Sequence, residues 1–199
     1  MSHKPAVTVA LFIFVSLVGF AEEPSEGLDV EIGLDREALP REVTAFEGEI
    51  RGLWRDGRIY IGGQPDESAL KYLQDEGVTA VVNLSTPAEV DDRERIPFDE
   101  ASVVAELGMD YVHIPLGGEE HPYSTEAVAR FSSVLERHDG LVFLHCTVGW
   151  RASYMWSAYL ISEHEFGINQ GMARGKAMAI SDLPIEGLLG QELEFAVAN

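Results

Sequence analysis

The 199-residue chain is 46% apolar and 24% charged, which is enough apolar material for one globular core and excludes wholesale disorder. Its 34 Asp+Glu stand against 14 Lys+Arg, a formal charge of −20. Such a surface repels phosphate backbones and speaks against nucleic acid as a partner; its first use is solvation, and it suits salty surroundings.

Residues 1–5 carry one cation, Lys4, and the apolar run Ala6 to Phe20 follows, with small Ala21 before Glu22-Glu23-Pro24. A positive start, an apolar stretch and a small-residue site at Gly19-Phe20-Ala21 are the parts of a secretory signal peptide over residues 1–21. At 15 residues the run is short for the roughly 20 that a spanning helix needs, which is the competing anchor reading. The expected product is exported, periplasmic or extracellular, with no stable membrane span once the signal is removed. Residues 22–49 hold ten carboxylates against Arg36 and Arg41. They read as a solvated acidic leader with at most a short helix and no core residues. The folded domain is expected over 50–199, its motif-bearing part over 50–180.

Within that domain Ile59-Tyr60-Ile61 predicts a strand closed by Gly62-Gly63-Gln64-Pro65. Asp66 caps a helix with Ala69, Leu70 and Leu73 on one face, ending at Gly77. Thr79 to Leu84 is a mostly apolar strand, of the kind buried on both faces of a parallel sheet. A helix over 99–107 turns Val103, Val104 and Leu107 inward, and Asp110 to Ile114 is the next strand. Ser124 caps a helix to Arg137 with Ala127, Val128, Phe131, Val134 and Leu135 as its apolar stripe. Leu141 to His145 is the most buried-looking strand, followed by helices over 151–163, 169–180 and 185–197. Strands alternating with helices predict an α/β fold, a central mostly parallel sheet flanked by helices.

The chemistry-bearing segment is His145-Cys146-Thr147-Val148-Gly149-Trp150-Arg151-Ala152-Ser153. Cys146 is the sole cysteine, so no internal disulfide forms and its neighbours decide its role. It ends a buried strand, a glycine follows three residues on, and an arginine opens a helix. A short loop entering a helix aims N–H groups at one point, where the dipole favours an anion. Those donors and the Arg151 guanidinium would favour a Cys146 thiolate, and Arg151 can hold two oxygens of a tetrahedral oxyanion in a fork. Such a cradle comprises Thr147, Val148, Gly149, Trp150 and Arg151. The six histidines are scattered with no pair at ligand spacing, so neither a metal nor another cofactor is expected.

His145-Cys146, four residues and Arg151 resemble the loop of cysteine-dependent phosphatases with the dual-specificity, protein-tyrosine-phosphatase-like fold. More narrowly, the segments Ile59 to Pro65, Val81 to Leu84 and Tyr111 to Leu116 resemble the bacterial phosphatase-like family linked to beta-lactamase-hydrolase-like proteins and the related domain fused to NAD kinase. The resemblance covers about residues 50–180. It implies a cysteinyl-phosphate mechanism on a phosphorylated small molecule or phosphoprotein: Cys146 attacks phosphorus, Arg151 and the loop amides hold the oxygens, and water releases phosphate. Ser153 keeps the family's hydroxyl spacing from the cysteine, and His145 positions the loop backbone. Four features depart from the pattern, one of them Ser85, which stands after Asn83-Leu84 where relatives often carry Arg. Dual-specificity phosphatases place five residues between Cys and Arg, and four occur here, as in rhodanese-type sulfurtransferases. Ala152 replaces the usual Ser or Thr after the arginine. No Asp stands where the family's general acid does; Glu119 and Glu120 occupy that loop, with Asp91 and Asp92 as lesser candidates. The alternatives are therefore a sulfurtransferase carrying a Cys146 persulfide and an inactive anion-binding module.

Overall fold

The computed structural model describes residues 28–29, 32–178 and 185–193; the expected signal peptide lies outside them. Three short strands come first, β1 (Leu28–Asp29), β2 (Leu34–Asp35) and β3 (Arg41–Glu42). The domain proper runs β4 (Trp54–Asp56), β5 (Ile59–Gly62), α1 (Glu67–Asp75), β6 (Val78–Asn83), α2 (Pro87–Val90), α3 (Glu100–Glu106), β7 (Asp110–His113), α4 (Thr125–Arg137), β8 (Leu141–His145), α5 (Trp150–Glu163), α6 (Ile168–Met178) and α7 (Ile185–Leu189).

Six strands form one sheet in the order β3-β4-β5-β8-β6-β7. The last four are parallel and the first three pair antiparallel. Both faces are covered, which explains the unbroken apolar runs of β6 and β8. Ile59, Ile61, Val82, Val142 and Leu144 face a core shared with α4 and α5. Tyr60, Val81 and Phe143 face the opposite one, filled by Leu70 and Leu73 of α1 and Val104 of α3. Asp66, Asp99 and Ser124 each accept a first-turn N–H, so these three helices begin where their caps predict. Helix α5 is buried around most of its girth, from Ala152 to Leu160, because α4, α6 and α7 all pack on it.

Three expectations need correction. The acidic leader does contribute core: Ile32 and Leu34 are fully buried among the α5-side residues. They are too few to give a periodic signal. Its polar atoms fasten it as well, with Asp29 Oδ2 2.9 Å from His164 Nδ1 and Arg36 Nη2 donating to the His164 carbonyl at 2.6 Å. The helix expected over 185–197 ends at Leu189, where Gly190 takes φ +65°; residues 194–197 fall outside the described part. Strand β4, which pairs with the expected strand β5, and helix α2 had no place in the predicted elements.

Candidate active site

Strands β5, β8 and β6 end level with one another, with Gly62, His145 and Asn83 in one row. Ligand sites of open α/β sheets form beyond such carboxyl ends. The chain leaves β8 at Cys146, turns through Thr147 and Val148, and enters α5 at Gly149. Val148 bridges antiparallel to Gly63, and Gln64 N–H donates to the Thr147 carbonyl at 3.3 Å, pinning the loop to the end of β5. Gly149 is the N-cap of α5 with φ +87°, and a Cβ there would stand 3.2 Å from the Gly62 carbonyl carbon. Only glycine meets both demands. No side chain caps α5, so none competes for its first-turn N–H groups.

Cys146 is fully buried in this arrangement, and Arg151 is mostly so. The guanidinium is held end-on by a carboxylate that sequence reasoning had passed over. Arg151 Nη1 donates to Glu89 Oε2 at 2.7 Å and Nη2 to Glu89 Oε1 at 2.6 Å. Nη1 also donates to the Leu116 carbonyl at 2.8 Å, and Nη2 to Thr147 Oγ1 at 3.1 Å. Thr147 in turn donates to Glu89 Oε1 at 2.9 Å. The Arg151 guanidinium also interacts with the Cys146 thiol.

Glu89 itself sits in a capping box. Thr86 N–H and Oγ1 donate to its Oε2 at 2.8 and 2.9 Å, and its own N–H donates to Thr86 Oγ1. Burial pushes the Glu89 carboxyl up, and the bonds from Arg151, Thr86 and Thr147 outweigh it and hold it down to about 2. Burial likewise works against the Arg151 charge, and Glu89 and Cys146 outweigh it, so its proton is held more tightly than usual. The pattern Thr-x-x-Glu after a strand was the signal in the sequence; what was invisible was that β6 and β8 are neighbours.

The other expected residues divide. Thr147 braces the arginine as described. Trp150 is 39% exposed and, with Val148, Gly149, Arg51, Trp54 and Met178, lines a cavity of about 200 Å³ beside the loop. Ser153 is fully buried and its hydroxyl donates to the Trp150 carbonyl at 2.8 Å, so its single proton is committed within α5. His145 is fully buried, with Nε2 2.7 Å from Glu100 Oε1. Glu119 and Glu120 are exposed on the turn closed by the Gly117–His121 bridge, on the loop whose Leu116 carbonyl meets Arg151. Asp91 is exposed, and Asp92 is engaged with Arg95. Among the described residues no group of three or more His, Cys, Asp or Glu is arranged to hold a metal, and no helix is long and apolar enough to cross a membrane.

The family described as DSP-PTPase phosphatase fused to NAD+ kinase matches residues 42–185 of the chain. None of the curated proteins matches it. Among solved structures, a DUF442 protein from Shewanella putrefaciens CN-32 is similar over 71% of this chain and 90% of its own, at 28% identity and TM-score 0.56. Tk-PTP in its active form is similar over 68% and 88%, at 19% identity and TM-score 0.55. PTPMT1 in complex with PI(5)P is similar over 66% and 88%, at 17% identity and TM-score 0.56. These last two likenesses are of fold: a protein-tyrosine-phosphatase-like sheet flanked by helices.

Proposed function

The chain belongs to the family of DSP-PTPase phosphatase domains fused to NAD+ kinase, and from that premise we propose that it hydrolyses phosphate monoesters through a cysteinyl-phosphate intermediate on Cys146. The observation that carries this reading is the Arg151 guanidinium, braced end-on by Glu89 and set against the sole cysteine at the carboxyl end of the sheet. In the first step the Cys146 sulfur attacks phosphorus, an S–P bond forms and the P–O bond to the leaving group breaks. The Arg151 guanidinium and the α5 N–H groups hold the phosphoryl oxygens, whose charge is spread in the transition state. A proton reaches the leaving oxygen from Glu119 or Glu120, the acids on the loop that touches Arg151 through Leu116. Water then attacks phosphorus and gives a proton to the same Glu, now a carboxylate; the S–P bond breaks, Cys146 leaves as the thiolate and inorganic phosphate is released. A charge of −20 disfavours approach to an anionic lipid surface, so the substrate class is a soluble monoester or a phosphoprotein segment. The first 21 residues support export, and we place the enzyme in the periplasm or outside the cell.

The test uses an aryl phosphate, an alkyl phosphate and, separately, thiosulfate with cyanide. Wild type should release phosphate from both esters and Cys146→Ser from neither, because an uncharged hydroxyl is a far weaker nucleophile. Gln at the true acid should spare the aryl ester and slow the alkyl one by roughly 10²–10⁴-fold. Cys146-dependent thiocyanate formation with no ester hydrolysis would overturn the assignment in favour of sulfur transfer, the chemistry to which the four-residue spacing also conforms.

A further inference from the structure

The Arg151 side of the loop is filled, since Glu89, Thr147 and the Leu116 carbonyl all meet the guanidinium. The other side is open. Between the loop, the start of β4 and the end of β5 lies the cavity of about 200 Å³ on which Trp54, Trp150, Met178 and Arg51 converge. Part of its wall is backbone shared with the nucleophile: Gly62 lines it, and the Gly62 carbonyl accepts the Cys146 N–H at 3.4 Å. Trp150 is the first residue of α5 and is 39% exposed, so the core makes little use of its indole. Trp54, on β4, is half-buried and stands in register with Ile61. Neither indole contacts another ring or spends its Nε1 on a hydrogen bond among the described residues.

Arg51 supplies a charge. In a chain with 34 acids to 14 bases, its guanidinium has no ion pair or side-chain hydrogen bond among the described residues. Arg36, Arg58, Arg151 and Arg174, by contrast, all spend theirs on the protein. The Arg51 main chain is held, because its carbonyl accepts the Gly63 N–H at 3.0 Å, and Gly63 also bridges to Val148 of the loop. A cation fixed at its root, unpaired at its tip and set in a cavity with two indoles suits a flat ring that bears a negative group. Indoles stack on aromatic faces, and a guanidinium meets a carboxylate or phosphate in a fork. Volume bounds the ring. A protein cavity of about 150 Å³ holds a benzene, so about 200 Å³ takes one ring with one small substituent, and not a ring together with the main chain of a peptide.

We propose that this cavity selects the substrate: the organic part of the ester is a small aromatic ring that lies between Trp54 and Trp150 and presents a second anionic group to Arg51. The proposal rests on the phosphatase reading and narrows its substrate class, and one of its two readouts needs no turnover. Titration with 4-carboxybenzyl phosphonate, which has no ester bond to cleave, should quench the emission of Trp54 and Trp150, with the third tryptophan, fully buried Trp156, as a constant background. The apparent Kd should rise roughly fivefold in Arg51→Gln, and part of the quenching should disappear in Trp54→Leu. In hydrolysis, the preference for 4-carboxyphenyl phosphate over phenyl phosphate, as a ratio of kcat/KM, should fall roughly fivefold in Arg51→Gln and be partly restored in Arg51→Lys. Leaving-group effects cancel, because both enzymes meet the same pair of esters. The preference should also shrink between about 0.1 M and about 1 M salt, as the screening length falls from about 10 to about 3 Å. Arg51 is exposed, so its replacement does not threaten the fold. A ratio unmoved in Arg51→Gln, or a phosphonate that leaves the emission unchanged, would overturn the proposal while hydrolysis at Cys146 stands. A phosphotyrosyl peptide turned over with a higher kcat/KM than 4-carboxyphenyl phosphate would overturn it as well. Arg51-dependent quenching in a protein that hydrolyses no ester would sink the phosphatase reading and leave the cavity as the binding site of an aromatic dianion.

Discussion

Arg151 and Arg174 each hold a carboxylate with Nη atoms at 2.8 Å or less, and they serve opposite ends. Arg174, 1% exposed in α6, gives Nη1 to Asp56 at 2.7 and 2.8 Å, and Trp156 Nε1 completes Asp56 Oδ2 at 2.8 Å. Its Nη2 ends on the Asp35 carbonyl and its guanidinium lies over Phe166. The charges of that pair are answered inside the protein. Arg151 is paired as tightly with Glu89, but at a loop edge and against the thiol of Cys146. A closed set of partners makes a bolt; an open one makes a binding site that is already oriented.

This comparison can be broken at either arginine. Asp56→Ala leaves the Arg174 charge buried and unpaired and should remove about 3–5 kcal/mol of stability, read by urea denaturation, with the kcat of the folded fraction near wild type. A loss below about 1 kcal/mol would show that water reaches Arg174. Arg151→Lys should do the reverse. A point charge cannot replace the fork, so kcat/KM for an aryl phosphate should drop by roughly 10²–10³-fold, with urea midpoints close to wild type. Glu89→Gln keeps the shape and removes the charge that aims Arg151. At about 1.5–3 kcal/mol for hydrogen bonds to a charged group, kcat/KM should fall roughly tenfold to a hundredfold. Equal kcat/KM values would mean that Thr147 and the Leu116 carbonyl hold the arginine unaided.

The smallest effect expected is a pH dependence of stability. Glu89 has its carboxyl at about 2 when folded against an ordinary 4.5, so the unfolded chain takes up this proton first as pH falls. Its contribution is fully present above about pH 4.5 and disappears as pH approaches 2. The difference in melting temperature between wild type and Glu89→Gln should therefore shrink across that window. A constant difference would place the contribution in packing.

The sheet and the loop were readable because both are local patterns. Leu141 to His145 is an apolar run, Gly149 marks a backbone turn that needs positive φ, and Asp66, Asp99 and Ser124 announce helix starts through their own side chains. What escaped depends on strand order. Glu89 meets Arg151 across 62 residues of sequence because β6 lies beside β8, and Glu100 meets His145 because α3 covers that same strand end. In a chain with 34 acids, nothing local separates these two from the solvated majority. Ile32 and Leu34 failed for a related reason: two apolar residues in an acidic stretch make no period, and only the shape of the core shows that they fill it.

The complete burial of Cys146 has a consequence for the lifetime of the protein outside a reducing compartment. A thiol oxidised to the sulfenic acid is rescued when a second cysteine condenses with it, and this chain has none to offer. Each such event would run on toward the sulfinic acid, which ordinary thiols do not reverse. A sulfur with no solvent contact is reached by peroxide or glutathione disulfide only in the fraction of time the loop is open. Burial of the sulfur thus slows irreversible inactivation, and a phosphate bound over it should slow it further.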